Sequence, residues 1–438
     1  MTKPTLTPPS GTRDFLPRES IFRSSVFSTV KSVFSSHGFA PFETPAFERL
    51  ETLSGKYGDA GEKLIYKILK RGEKALSGEA DMALRYDLTV PTMRLFSHRR
   101  NELPRIVKRY QIGPVWRADR PGRGRFREFC QCDVDIIGSA SPLADIEVLL
   151  TLSAALSKLG LEEFKIRLNS RQALGGLMSA YGLPAVSHAA VLTVLDKLDK
   201  IAVDGVVDGL SALELRENGI GDLIADLRSG NPNEALCSRI RSVEEGREGL
   251  AAVNSIAEYV APFLASKASI IVDPFLARGL DYYTGPIFEI VAEGGVGSIA
   301  GGGRYDDLSK LFMKEGVPVC GGSLGIERII LLLSGRTVDK KAARSGCYVT
   351  VWDENSVVDA LKLCSSLRSR GLVVDMDVEG GKLGRQMKIA DERGSRVVIV
   401  QGPDEKVARE VTIKDMETGI QQKVSENDVV ARIQAILS

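Results

Sequence analysis

The hydrophobic pattern changes period several times along the chain, and each change marks an element. Ile21 to Phe34 spaces its apolar residues at three and four positions, which predicts an amphipathic helix. Ile106 to Trp116 reads as an extended run interrupted at Gly113-Pro114. Phe126 to Ile137 sets Phe126, Cys130, Cys132, Val134 and Ile136 against polar positions, the alternation of a half-buried strand. Between these two runs lies Ala118 to Arg125, rich in charge, proline and glycine, so the pair is expected to form an antiparallel hairpin.

From about Gln172 to Ala261 the texture shifts to Ala, Leu, Asp and Glu at helical spacing, as in Val191 to Ile201 and Asn254 to Val260, which suggests an inserted helical module. Strand-like and glycine-rich sequence resumes at Ser269 and leads into an expected helix at Leu324 to Leu333. A polar stretch, Ser334 to Ser345, precedes a β-α-β-α-β order: Cys347 to Val351, Val357 to Leu367, Leu372 to Val378, Leu383 to Asp391, Val397 to Gln401. That order predicts a small separate α/β domain with a mainly parallel sheet. The chain is therefore expected to be an α/β and α+β multidomain protein. Residues 1–171 and 262–335 would form one domain, 172–261 an insertion into it, and 345–438 a second domain.

Composition narrows the function more by exclusion than by suggestion. With 438 residues, 43% hydrophobic and 26% charged, the chain can support two or three cores. No apolar run approaches the length of a membrane span, and Met1 to Ser10 lacks a signal-like core, so no membrane partner and a cytoplasmic address are expected. Six cysteines without C-x-x-C spacing give neither a disulfide framework nor a zinc site, and no protein-only metal site is expected. Three histidines, none beside a nucleophile-like residue, argue against a histidine-based triad. A net charge of +1 gives no global sign of a nucleic-acid partner, so RNA contact would have to come from local patches.

Four clusters carry candidate chemistry. Trp116-Arg117-Ala118-Asp119-Arg120, with Arg123, Arg125 and Arg127, concentrates guanidinium forks suited to phosphate oxygens on the hairpin, although a salt-bridged surface with Asp119 and Glu128 fits as well. Arg278-Gly279-Leu280-Asp281-Tyr282-Tyr283-Thr284 precedes a strand; adjacent tyrosines on a strand would face opposite ways, one packing and one lining a pocket. Gly301-Gly302-Gly303-Arg304-Tyr305-Asp306 could bring backbone close to a ligand or merely turn, and it lacks dinucleotide-fingerprint spacing. Gly321-Gly322-Ser323-Leu324-Gly325-Ile326-Glu327-Arg328 runs from a strand into a helix, where Arg328 could meet an anion or a ring unless Glu327 neutralises it.

Taken in order, these clusters resemble the signature motifs of class II aminoacyl-tRNA synthetases: Phe42-Glu43-Thr44-Pro45 the first, the Arg117 hairpin the second, and Gly325 to Arg328 the third. Arg278 to Thr284 and Gly301 to Asp306 resemble the two peptides that mark the histidyl-tRNA synthetase family within that class, and Gly11-Thr12-Arg13-Asp14 and Lys382 to Ala390 are similar to its ends. The resemblance implies an antiparallel-sheet catalytic domain with a helical insertion, a C-terminal α/β anticodon-binding domain, and a homodimer built across the first motif. It implies ATP with Mg²⁺, L-histidine and tRNA(His) as partners. By the same resemblance Arg117 and Arg278 are catalytic. Arg117, Asp119, Arg125 and Arg328 would bind ATP, while Asp87, Thr89, Gln131, Asp135, Arg278, Tyr282 and Tyr283 would bind histidine. Within the histidine set, Asp87, Thr89 and Gln131 would surround the α-amino group, and Asp135 and Tyr283 would meet the imidazole nitrogens. Arg123, Lys382, Arg385 and Lys388 would touch tRNA.

The chain departs from the family pattern in having Asp87, Asp119 and Asp135 where glutamate is more frequent, and Cys130 where histidine is usual; each aspartate is one methylene shorter. Cys130 is read as packing. The hairpin tip Pro121-Gly122-Arg123-Gly124 lacks an expected glutamine, which suggests weaker dependence on the extra 5′ guanylate of histidine tRNAs. From Cys347 to Ser438 there are 13 Lys and Arg against 15 Asp and Glu, so tRNA affinity in that region would rest on local faces. Two rival readings remain: a regulatory, histidine-sensing paralogue, and a synthetase for another amino acid.

Overall fold

The computed structural model describes residues 5–57, 61–198, 201–213, 218–277, 282–295, 297–336 and 346–437. The chain divides into two compact units, Met1–Arg336 and Thr337–Ser438.

The first unit is built on an eight-stranded sheet. Its order is Ala40–Pro41, Val107–Trp116, Glu128–Ile137, Val319–Leu324, Ser298–Arg304, Pro286–Ala292, Phe164–Ser170, Ser269–Val272, with only the two outermost pairings parallel. Val107–Trp116 runs unbroken through Gly113-Pro114, against the expected interruption: Pro114 pairs with Cys130. On the other side the strand Ala40–Pro41 pairs only at Arg109 and Tyr110, so Pro114 occupies an open edge where its missing N–H costs no ladder bond.

One face of this sheet is apolar. Cys132, Val134, Ile136, Ile290 and Ile299 share a core with Val30 and Phe34 of helix Pro17–Ser36 and with Leu152 and Leu156 of helix Pro142–Lys158. The first helix opens on a proline with Glu19 in its first turn, where its charge meets the helix dipole. The second is capped by Ser141, whose hydroxyl accepts from Leu143 N. The helices from Arg171–Ala180 to Glu244–Val260 extend the same core, through Leu177, Val253 and Ile256. The expected Val191 to Ile201 helix is set further back, at Ala185–Leu195.

The second face is covered by a three-stranded sheet (Phe47–Arg49, Ala80–Leu84, Lys67–Leu69), helix Thr89–His98, the Tyr305 region and the connecting segments that carry Tyr57 and Tyr86; there Tyr57, Tyr86, Met93, Phe96 and Tyr305 form a second buried cluster with Val107 and Ile137. Phe126 to Ile137 therefore differs from a half-buried strand: the strand spans Glu128–Ile137, and Asp133 and Asp135 on its polar side are only 3% exposed.

The second unit has a five-stranded sheet in the order Val374–Met376, Cys347–Val349, Val397–Val400, Glu410–Asp415, Gln421–Ser425. The first three strands are parallel and the last two form an antiparallel hairpin that the hydrophobic pattern did not reveal. Helices Val357–Ser369, Leu383–Glu392 and Val429–Leu437 accompany it. Among the described residues no single helix is long and apolar enough to cross a membrane.

Candidate active site

Successive residues of a strand face opposite ways, so burying Cys132, Val134 and Ile136 under the helices turns Gln131, Asp133 and Asp135 to the other side. Cross-strand pairing sets Gly113, Gln111 and Arg109 beside them on one flank, and Ser323 and Gly321 beside Asp133 and Asp135 on the other. Glycines hold the floor low. A Cβ on Gly321 would lie 2.0 Å from Asp135 Oδ1 and 2.6 Å from the Val134 carbonyl oxygen. The result is a cavity of about 140 Å³, floored by Gly301, Gly321 and Gly322 and walled by Tyr282, Tyr283 and Tyr305. The three rings lie 5.0 to 6.2 Å apart and meet at tilted or edge-on angles.

Polar groups converge on this space from three elements. Asp87 precedes helix Thr89–His98, and its Oδ1 accepts from Val90 N at 3.0 Å and from the Tyr57 hydroxyl at 3.1 Å. Its Oδ2 is buried without a hydrogen-bond partner, as are Gln131 Oε1 and Asp133 Oδ1. Asp135 is engaged: it pairs with Arg109, a fully buried guanidinium, and accepts a hydrogen bond from Tyr305. Burial raises the pKa of Asp87 and of Asp135, and it pushes Asp133 up to about 7 against the opposing pull of Arg109. Burial likewise raises the hydroxyls of Tyr282, Tyr283 and Tyr305.

Arg117 brings the cation. Its Nε donates to the Tyr86 carbonyl at 3.0 Å, and its guanidinium sits 4.3 Å from the centre of the Tyr86 ring and 5.3 Å from that of Phe129. Held between these rings, it lines the cavity with Asp87, Thr89 and Gln131. A space with open carboxylate and amide acceptors deep inside and a positioned guanidinium suits a zwitterionic amino acid and an anionic reaction partner.

Around this cavity an N-terminal strap braces the hairpin. Arg127 N donates to the Gly11 carbonyl at 2.8 Å, and its side chain reaches the carbonyls of Ser10 and Asp119. The Arg13 guanidinium stacks 3.4 Å from the Phe126 ring centre. Glu327 does not pair with Arg328. It accepts from Arg13 at 2.5 Å and from both terminal nitrogens of Arg23 at 2.7 and 2.8 Å, and although burial works against its charge, these arginines hold its carboxyl below the usual range. Arg328 Nη1 donates to the Ser298 carbonyl at 2.6 Å, and a Cβ on Gly124, at the hairpin tip, would meet Arg328 Cγ at 3.2 Å.

Asp87, Thr89, Arg117, Gln131, Asp135, Tyr282 and Tyr283 thus come together in one cavity. The two tyrosines precede the strand rather than lying on it, and both line the cavity, which removes the expected division between them. Asp119 and Arg125 face each other at 3.5 Å on the hairpin, Arg123 is exposed at its tip, and none of the three lines the cavity. In the second unit Lys382, Arg385 and Lys388 are exposed, with Arg385 paired to Glu379 at 2.5 Å and Lys388 3.7 Å from Glu392. Arg278 lies outside the described residues. Cys130 is partly buried and burial raises its thiol pKa, which suits packing rather than reactivity. Arg109 and Asp133 escaped the reading of the sequence, whereas Ser323 and Tyr305 stood within two of its clusters without a role of their own. The available signal was polar residues at i and i+2 within an otherwise apolar strand.

A family model described as histidyl-tRNA synthetase matches residues 11–329, and one described as an anticodon binding domain matches residues 346–436. The histidine--tRNA ligase of Christiangramia forsetii is 38% identical, over 96% of this chain and 97% of its own length. That of Gloeobacter violaceus is 37% identical, over 94% and 95%. The crystal structure of histidyl-tRNA synthetase from Nostoc sp. PCC 7120 superposes with a TM-score of 0.84 at 27% identity, covering 99% of this chain and all of that one. The cavity, the hairpin arginine and these matches over nearly the whole length agree, and the chain belongs to the histidyl-tRNA synthetase family.

Proposed function

We propose that this chain activates L-histidine with ATP and loads it onto tRNA(His). The histidine carboxylate attacks the α-phosphorus and pyrophosphate leaves; a terminal tRNA hydroxyl then attacks the acyl carbon of the adenylate and AMP leaves. The observation that carries this reading is the set of open acceptors, Asp87 Oδ2, Gln131 Oε1 and Asp133 Oδ1, in the cavity that Arg117 also lines. An ammonium donates three hydrogen bonds, and Asp87, Gln131 and Thr89 supply acceptors for them. Arg117 would bind the α-phosphate, where charge grows in the transition state, and Arg278 would meet both that phosphate and the substrate carboxylate. Arg125, with Asp119, would support the outer phosphates, and Arg328 would stack on adenine.

Among the described residues no group of three His, Cys, Asp or Glu side chains stands together as a metal site. Mg²⁺ would accordingly be held by the ATP phosphates with at most one or two carboxylates, where it supplies charge neutralisation. The proposal extends to the subdivision of the chain, with 1–171 and 262–335 as catalytic domain, 172–261 as insertion and 345–438 reading the anticodon. Arg123, Lys382, Arg385 and Lys388 would contact tRNA, two copies would pair across the first motif, and the enzyme would work in the cytoplasm. Phe47, 51% exposed on an edge strand just after Pro45, suits such a pairing surface.

The test is histidine-dependent exchange of pyrophosphate into ATP, with wild type beside Arg117→Ala and Arg278→Ala. Exchange in the wild type that falls on the order of 100-fold in each variant is the expected outcome. A wild type that binds histidine but exchanges nothing would favour a regulatory, histidine-sensing role.

A further inference from the structure

We infer that Arg13, which does not line the cavity, is a positioning residue for the nucleotide: it holds the hairpin that carries Arg117, Asp119 and Arg125 against the helix that carries Arg328. This rests on the ATP-using reading above. The strap is shaped to lie on the hairpin. Thr12 N donates to the Pro9 carbonyl at 3.0 Å, closing a turn that presents Gly11 to the hairpin base. Gly11 has a φ of +82°, and a Cβ on it would lie 2.8 Å from Arg127 Cγ and 3.0 Å from Pro121 Cγ, so glycine alone lets the backbone come this close. Arg127 passes the contact on: its carbonyl accepts from Arg117 N at 2.9 Å, and its Nε donates to the Asp119 carbonyl at 3.1 Å. Arg13 spans the remaining gap, with its guanidinium over Phe126 of the hairpin and its Nη2 on Glu327, the residue before Arg328.

Stability alone does not call for this arginine. Glu327 is already satisfied by both terminal nitrogens of Arg23 and by Cys130 N at 3.4 Å. A second guanidinium sets two cations against one carboxylate, and Arg13 Nε is buried without a hydrogen-bond partner; both are unfavourable to the fold. The Arg13 side chain is also 26% exposed against 10% for Arg23, so its ion pair is the more screened of the two. What Arg13 adds is the bridge from Phe126 to Glu327, a cation over a ring at one end and a charged hydrogen bond at the other. The hairpin tip lies against Arg328, where a Cβ on Gly124 would meet its Cγ at 3.2 Å, so a hairpin that loses this bridge shifts against Arg328 and carries the phosphate-facing arginines with it.

The experiment uses the full chain in the pyrophosphate exchange assay, with Arg13→Met, Phe126→Leu and the double variant, beside thermal melts with and without histidine. Arg13→Met is expected to raise KM for ATP about 10-fold and to lower kcat by a similar factor, because small misplacements of binding groups cost rate steeply. KM for histidine should stay within about threefold, and the stabilisation by histidine should persist, since the amino-acid pocket is untouched. The melting temperature should fall by no more than about 3 °C. Phe126→Leu should show the same split between the two substrates, and the double variant should be little worse than either single one, as expected for two ends of one bridge. A KM for ATP within about threefold of wild type in Arg13→Met overturns the inference and leaves the activity standing. So does a parallel rise of both KM values with a lowered melting temperature, the mark of a merely structural brace, and so do fully additive effects in the double variant. A wild type that does not exchange with histidine overturns the functional reading and this one together.

Discussion

Asp133 makes a quantitative prediction about stability that needs no substrate. Its carboxyl is raised from 3.8 to about 7 in the folded chain, chiefly by burial. The folded state therefore holds this proton more tightly than the unfolded state does. The corresponding stability is fully present below about pH 4, declines as pH rises, and is gone above the folded pKa. Integrating between pH 5 and pH 8 gives a change on the order of 3 kcal/mol. Asp133→Asn cannot titrate, so its unfolding free energy relative to wild type should improve by that order between the two pH values. Asp87 and Asp135 are present in both proteins and cancel to first order. The assay is urea unfolding followed by tryptophan fluorescence in a Trp352→Phe background, which leaves Trp116 as reporter of the first unit. A difference that stays constant within about 0.5 kcal/mol from pH 5 to pH 8 would show that Arg109 already compensates Asp133, and would refute the reasoning.

Two further outcomes follow from the surroundings of the cavity. Gly321→Ala pushes a methyl against Asp135 and the Val134 carbonyl and should destabilise the first unit by about 3 kcal/mol, whereas at Gly301 the nearest atom to an added Cβ is 3.5 Å away and alanine should be tolerated; thermal melts of the two variants check this. Arg23→Met removes two of the hydrogen bonds to Glu327 and should cost about 3 kcal/mol near neutral pH. Because the Glu327 pKa is depressed on folding, that cost should shrink as pH falls through the carboxylate range; an unfolding midpoint that is unchanged at pH 7 would contradict it.

What the sequence determined by itself was the set of local patterns. The alternation at Cys130, Cys132, Val134 and Ile136 and the charged turn at Ala118 to Arg125 fixed a hairpin, because strand period and turn chemistry are written in neighbouring residues. The β-α-β-α-β order of the second unit was legible for the same reason. The motif resemblance brought Asp87, Thr89, Arg117, Gln131, Asp135, Tyr282 and Tyr283 forward as one site before any contact between them was visible. Only the tertiary structure decided which charges meet. Glu327 sits next to Arg328 in the chain, yet it pairs with Arg23, 304 positions away, because helix direction turns the two side chains apart. Arg109 and Asp135 become a buried pair through strand register, and the same register sets Ser323, from a strand nearly two hundred residues later, against the Asp133 carboxyl while its Oδ1 stays without a hydrogen-bond partner. Register and close packing are long-range properties, set by which strands pair, and no local period in a single chain records them.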